Sequence, residues 1–362
     1  MKKIILLFFI ILVANFGFSQ TVATKKVVLE QFNGAWNGYC PDSDFIMENI
    51  LTQYPENVIG ISIHSLDGMA YNNGIEPEFS NGDSPVGMID RKKFAGKSNE
   101  IVGRNDWMNY VGEQVTSYTP AEVGVTLNYD SATRTITSTV TAEFIDSASG
   151  DMRFVMSVVE DGVTETGPDF DQTNYYNNSP GHPFYGAGNP IIGYNHKHVL
   201  RANLPGVYGN AGIIPSTVSA GSVYSETFTY VLPANYDETK ISVVGFLAFS
   251  VPEVGQREIL NADQKLLSEV LSIEKEDLFG SLSISPNPTN NQFTLNLNLK
   301  ETITADIIMY NQLGQEVKKI ASGTFPIGNQ AIQVSVENLS KGVYYVTTRT
   351  RNHSLTKKLV VK

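Results

Sequence analysis

The sequence predicts a multidomain, mostly β chain: an α/β unit first, then two all-β sandwich units. Three observations predict it. From Lys25 to about residue 120, apolar runs alternate with helically spaced segments; beyond Pro120 the apolar period becomes two; near residue 280 the charge changes sign while the β pattern resumes. Residues 21–279 hold 15 Lys+Arg against 33 Asp+Glu, a net of −18, whereas residues 280–362 hold 9 against 4, a net of +5. An acidic body repels polyanions, so neither nucleic acid nor anionic lipid is an expected partner.

Lys2 and Lys3, the apolar run from Ile4 to Val13 and the small-residue site Gly17-Phe18-Ser19 read as a secretory signal over residues 1–19. No later stretch is long and apolar enough to span a bilayer, so no transmembrane segment is expected in the mature chain. Cys40 is the only cysteine, which excludes an internal disulfide in a compartment that would permit one. A lipoprotein anchor is not expected either, since no cysteine follows the signal.

Residues 20–120 carry the α/β pattern. Lys25–Gln31 reads as a buried strand, and Ile46, Met47, Ile50, Leu51 and Tyr54 recur at helical spacing after a start at Asn37, a good N-cap residue. Asn57–His64 is almost continuously apolar, as a central parallel strand covered on both faces should be. A polar excursion through Asn72, Asn73 and Asn81 leads to Val86–Asp90, another strand. Trp107, Tyr110, Val111, Val115 and Tyr118 then mark a second amphipathic helix. Over residues 121–262 alternation predicts half-buried strands: Val123 to Tyr129, Ile136 to Phe144, Phe154 to Val159, Tyr224 to Leu232 and Ile241 to Phe249. Gly162–Asn195 breaks the pattern, and an aperiodic loop that long is either functional or mobile. Residues 263–280 read as a linker with the charged cluster Glu274-Lys275-Glu276-Asp277. Strands near Gln292–Leu299, Ala305–Tyr310, Ala331–Val336 and Val343–Thr348 complete the chain.

Trp36-Asn37-Gly38-Tyr39-Cys40-Pro41 is the chemically informative stretch. It resembles the Trp-Cys-Gly-x-Cys turn of thioredoxin-like proteins, with Asn37 where the first cysteine belongs. That thiol is activated at a helix N-terminus, where partial positive charge stabilises the thiolate. Asparagine cannot attack a disulfide. The resemblance therefore implies a thioredoxin-like domain over residues 20–120 whose redox chemistry is gone. Pro85, in Gly82-Asp83-Ser84-Pro85-Val86-Gly87, stands where such folds place a cis-proline facing the turn. The degenerate site is thus Trp36, Asn37, Cys40 and Pro85.

Together with Asp90-Arg91, His196-Lys197-His198-Val199-Leu200-Arg201-Ala202-Asn203, Gly206-Val207-Tyr208-Gly209 and Glu258-Ile259-Leu260-Asn261-Ala262, these stretches are similar to an exported family related to a 28-kDa outer membrane protein of Bacteroidetes-type bacteria. That family joins a thioredoxin-like region to a β-sandwich. The tail carries Ser285-Pro286-Asn287-Pro288, then Tyr310-Asn311-Gln312-Leu313-Gly314, then Lys341-Gly342-Val343-Tyr344, and finally Lys357-Lys358-Leu359-Val360-Val361-Lys362. In this order the motifs resemble the type A sorting domain of type IX secretion. The resemblance implies that residues 281–362 are a removable address label read by the type IX machinery, with Pro286, Asn287, Pro288, Gly314, Gly342, Lys357 and Lys358 as its signature. The product would be displayed at, or released from, the cell surface.

Other constellations are weaker. Cys40 reads as a shielded, inert thiol; the alternative is a single-cysteine oxidoreductase or peroxidase. His196 and His198 would project from one face of a strand at a spacing that suits two metal ligands, but no third ligand is near. Asp169, Asp171 and Asn174 hint at a calcium loop without its glycine and terminal glutamate. Tyr175, Tyr176, Phe184, Tyr185 and Tyr194 offer an aromatic surface within the long loop. No Ser-His-Asp set, zinc signature or glycine-rich phosphate loop occurs, and no cofactor is expected. The expected function is that of an exported binding or structural protein whose ligand is a surface polysaccharide or protein.

Overall fold

A computed structural model describes residues 23–71, 74–80, 82–271, 279–350 and 354–362. The signal segment, Asn72, Asn73, Asn81 and the cluster Glu274–Asp277 lie outside the described residues.

The two continuous apolar runs form parallel neighbours. β1 (Val27–Asn33) pairs with β2 (Val58–His64) from Val27↔Val58 onward, and every residue of both is buried. Helix α1 (Cys40–Gln53) makes the crossover. After the short helix α2 (Ile75–Phe79), which the periodicity does not reveal, β3 (Val86–Ile89) runs antiparallel to β1 with Leu29↔Ile89. The two-residue β4 (Val102–Gly103) closes that edge and leads to α3 (Trp107–Gln114). Alternation sends Val27, Leu29 and Val58 to one face, where they meet Met47 and Ile50 of α1 and Trp107 and Val111 of α3. Val28, Phe32, Ile59, Ile61 and Ile63 fill the other, against Ile75 and Phe79. Burial on both faces is why these strands read as unbroken apolar runs.

The period-two segments form β5 (Ala121–Asp130), β6 (Thr135–Phe144), the short β7 (Ala148–Ser149) and β8 (Met152–Glu160). β9 (Val199–Leu204), the short β10 (Thr217–Val218), β11 (Val223–Val231), β12 (Ile241–Phe249) and β13 (Ile259–Leu266) follow. They divide between two layers. β5, β6 and β11 make a three-stranded sheet in the order β11-β6-β5. β8, β9, β12 and β13 instead extend the first sheet, giving β13-β12-β8-β9-β2-β1-β3-β4. Strands from both sides of residue 120 therefore share one sheet, joined where β2 meets β9 at the single pair Ser62↔Val199. The last four residues of β13 fall in the stretch read as linker.

Two cores flank the extended sheet. Val243 and Leu247 of β12 point to the three-stranded layer and pack with Val125, Val140 and Phe144. Val244 and Phe246 point to the opposite face with Phe32 and Ile61. Between them sits Gly245, where a Cβ would lie 2.6 Å from methyls of both Val125 and Val140. The layers approach so closely there that only glycine fits.

The tail folds into two further sheets. One is β14 (Phe279–Ser285), β15 (Gln292–Leu299) and β18 (Gly328–Ser335); the other is β16 (Ile303–Asn311), β17 (Glu316–Phe325), β19 (Gly342–Arg349) and β20 (Ser354–Val361). Phe293, Leu295, Leu297 and Leu299 pack face to face with Ile307, Met309, Val346 and Leu359.

Candidate functional site

The turn after β1 is held by its own backbone, Asn37 N donating to Gly34 O at 3.0 Å and Cys40 N to Asn37 O at 3.1 Å. Asn37 does not cap the helix as expected. α1 starts at Cys40, and Tyr39 occupies the cap position without a side-chain hydrogen bond. Asn37 Oδ1 instead accepts from Tyr39 N at 3.0 Å, an Asx-turn that precedes the helix. Its Nδ2 donates at 2.6 Å to the carbonyl of Ser84, whose bond to the buried Pro85 is cis. Cys40 is fully buried, with Sγ 3.5 Å from Ser84 Oγ. Burial, with the nearby Asp44 charge adding to it, pushes the thiol up to about 12. The structure thus joins Asn37, Cys40 and Ser84–Pro85. Trp36 turns aside, donating Nε1 to Ser65 O at 2.7 Å and leaving 44% of its surface exposed.

The long aperiodic loop is fastened over this turn. Gln172 Nε2 donates to the carbonyls of Ala35 and Asn37, Thr173 N to Ala35 O, and Tyr175 N to Gly38 O. The Tyr175 ring covers Gly38 so closely that a Cβ there would lie 2.4 Å from it. Tyr175 also meets Tyr39 edge-on at 5.1 Å. Further along, Tyr176 stacks on His182 at 3.9 Å, and Arg104 links Asp42 (2.6 Å) to Tyr176 Oη (3.1 Å). Asp171 and Asn174, read as a hint of calcium binding, spend their side chains on the loop's own backbone: Asp171 accepts from Gly167 N and Gly193 N, and Asn174 donates to Phe184 O and Gly188 O.

His196 and His198 do not share a strand face. β9 begins only at Val199, and His198 has a φ of 55°, so the two rings diverge. His198 Nε2 meets Glu48 at 2.8 Å and its Nδ1 lies 3.2 Å from Asp161, whereas His196 is buried with Nε2 on Phe170 O at 2.7 Å. Burial lowers His196 to about 4, so it stays neutral in the folded protein. Between pH 6.5 and 4 the unfolded chain takes up a proton there that the folded chain refuses. Stability contributed by neutral His196 is complete above 6.5 and falls as pH drops toward 4, by up to about 3 kcal/mol. In urea titrations at several pH values, His196→Gln, which cannot charge, is expected to flatten that decline. An unchanged slope would refute the assignment.

In the tail, the first and last motifs meet. Asn287 Nδ2 donates to Lys358 O at 2.7 Å and Asn287 Oδ1 accepts from Val360 N at 2.9 Å, so the Pro286–Pro288 segment is pinned to β20. Lys357 and Lys358 are exposed on that strand. Gly314 takes a φ of 76° in the turn after β16, and Gly342 opens β19 opposite Val361.

The profile of the outer membrane protein Omp28 matches residues 72–269, more than half of the chain. The chain belongs to the Omp28 family. A secretion-system C-terminal sorting domain matches residues 283–362. No curated protein matches the sequence. Among solved structures, HBP35 of Porphyromonas gingivalis is 19% identical, with a TM-score of 0.53, over 94% of this chain and 99% of that one. At that identity the likeness concerns the fold alone. A crystal structure of an Agrobacterium tumefaciens protein is 14% identical over 69% of this chain and 97% of that one, with a TM-score of 0.40. Red sea bream transglutaminase is 10% identical over 75% and 34%, with a TM-score of 0.33.

As an Omp28-family chain with a type IX sorting domain, the protein is exported across the outer membrane to the cell surface, and its tail engages the secretion machinery. The Omp28 match starts after β2, so the turn bearing Asn37 and Cys40 lies outside it while the loop covering that turn lies within. No described helix is long and apolar enough to cross a membrane.

Proposed function

We propose that this Omp28-family chain is a cell-surface binding protein built on a thioredoxin-like unit without thiol chemistry, followed by a β-sandwich and a sorting domain. The thioredoxin-like reading draws support from the strand order β2-β1-β3-β4, with α1 and α3 on one face. The observation that carries the loss of redox chemistry is Asn37. Its amide stands in the place of the attacking sulfur and donates to Ser84 O, while the remaining thiol is sealed beneath it.

A binding role is favoured by the rings left in solvent around the turn: Trp36, Tyr39 at 49% and Tyr175 at 57% exposure. Aromatic faces at this density suit stacking on a sugar or packing on an extended chain, and each contributes on the order of 1 kcal/mol. The ligand class is therefore a surface polysaccharide or a surface protein. The test compares purified full-length protein with its Trp36→Ala/Tyr39→Ala/Tyr175→Ala variant for retention on native cell envelope. Retention is expected to fall roughly tenfold to a hundredfold; equal retention of the two proteins refutes the aromatic face.

A further inference from the structure

A cavity of about 370 Å³ opens between α1 and the returning end of the long loop, within the size range of small-molecule sites. Phe45, Met47, Phe184 and Ile191 line it with apolar surface. Asp44, Gln31 and Ser62 form a bonded polar group in the same wall.

The hydrogen-bond inventory of that group is unbalanced. Gln31 is 1% exposed, and its Nε2 donates to Asp44 Oδ1 at 2.6 Å and to Ser62 Oγ at 2.7 Å. Its Oε1 has no partner among the described residues. A buried amide carbonyl left without a donor costs stability. Asp44 also accepts from Asn33 Nδ2 at 2.7 Å and from Tyr194 Oη at 3.0 Å. All three of its donors are neutral, and among the described residues no cation lies within salt-bridge distance. Burial accordingly raises its pKa despite those bonds.

Glu48, one helical turn away in the same wall, is the opposite case. It is paired with Lys197 and His198, and chiefly the hydrogen bond from His198 brings it down to about 2. The basic groups at the cavity are therefore already spoken for, and His198 faces Asp161 as well. What is left is one carboxylate without a countercharge, Asp44, beside a buried amide oxygen without a donor. The carboxylate calls for positive charge.

We propose that this cavity binds a small primary amine with an apolar alkyl or aryl body, its ammonium group paired with Asp44. An anion would face Asp44 directly, and a neutral alcohol would leave its charge unpaired. The proposal is independent of the aromatic face, which is tested on different variants, and of the state of Cys40.

Isothermal titration of the full-length protein at neutral pH with a panel of alkyl and arylalkyl amines, phenethylamine among them, tests it. Phenethyl alcohol and hydrocinnamate serve as neutral and anionic partners of matched shape. Saturable amine binding is expected, with the alcohol about tenfold or more weaker and the acid weaker still. Asp44→Asn should remove that preference, and Ile191→Trp, which fills the cavity from an apolar wall, should abolish binding of both. The comparison within the unmodified protein stands even if a variant fails to fold. Equal binding of amine and alcohol, full amine affinity in folded Asp44→Asn, or no saturable binding by any amine of the panel overturns the proposal.

Discussion

Iodoacetamide is expected to leave Cys40 unmodified in the folded protein and to alkylate it within minutes once denaturant is added. The thiolate is the reactive form, and burial raises the folded-state thiol from its ordinary value of 9.0 to about 12. Near neutral pH that shift reduces the thiolate population on the order of a thousandfold. A helix N-terminus normally works in the other direction. Here it is outweighed because Sγ has no exposed surface and faces Ser84 Oγ, with the Asp44 charge further along the helix disfavouring a second negative charge. Reactivity should therefore stay flat with pH through the range in which an exposed thiol titrates. Insulin disulfides should likewise remain intact in the presence of the protein and a reductant that recycles two-cysteine turns. Rapid alkylation of the native protein near pH 8, or insulin reduction at the rate of a two-cysteine relative, would return thiol chemistry to the chain.

Substituting Arg91 by methionine is expected to lower the stability of the extended sheet by about 3–5 kcal/mol. Arg91 and Glu30 form a two-pronged pair at 2.8 and 2.7 Å, each with about 2% of its side chain exposed. The guanidinium also donates to Val207 O at 3.1 Å and lies over the rings of Phe79 (5.2 Å) and Phe246 (5.1 Å). Methionine fills much of the same space, so the cost arises mainly from a buried carboxylate stripped of its partner. Glu30→Met combined with Arg91→Met should recover most of the loss, because an apolar pair of similar volume needs no compensation. Tryptophan fluorescence in urea can read the change, since both tryptophans, Trp36 and Trp107, lie in the first third of the chain. A single Arg91→Met loss under 1 kcal/mol, or a double variant weaker than the single, would show that the pair is not what holds these strands.

The strands and helices were legible wherever burial is a local pattern. Val58–His64 reads as a central strand because both its faces are covered, and Val123–Tyr129 as half-buried because one face is not. α1 and α3 follow from helical spacing, and the tail motifs from their resemblance to a known sorting domain. Other features left no such trace. The five residues of α2 are too few to display a period, and the junction of β2 with β9 rests on one residue pair contributed from positions 137 residues apart. The loop over the turn is held by Gln172, Thr173 and Tyr175, whose partners are backbone atoms that any sequence would supply.

Asn37 shows where the division falls. Covalent sequence alone determined that the chain has a single cysteine, with an asparagine three positions before it, because a side chain's identity needs no fold to be known. Only the tertiary structure decided that this amide reaches Ser84 rather than capping α1, and that Cys40 lies out of reach of solvent. Hydrogen-bond partners and burial are set by groups distant in sequence, which approach only when the sheets close.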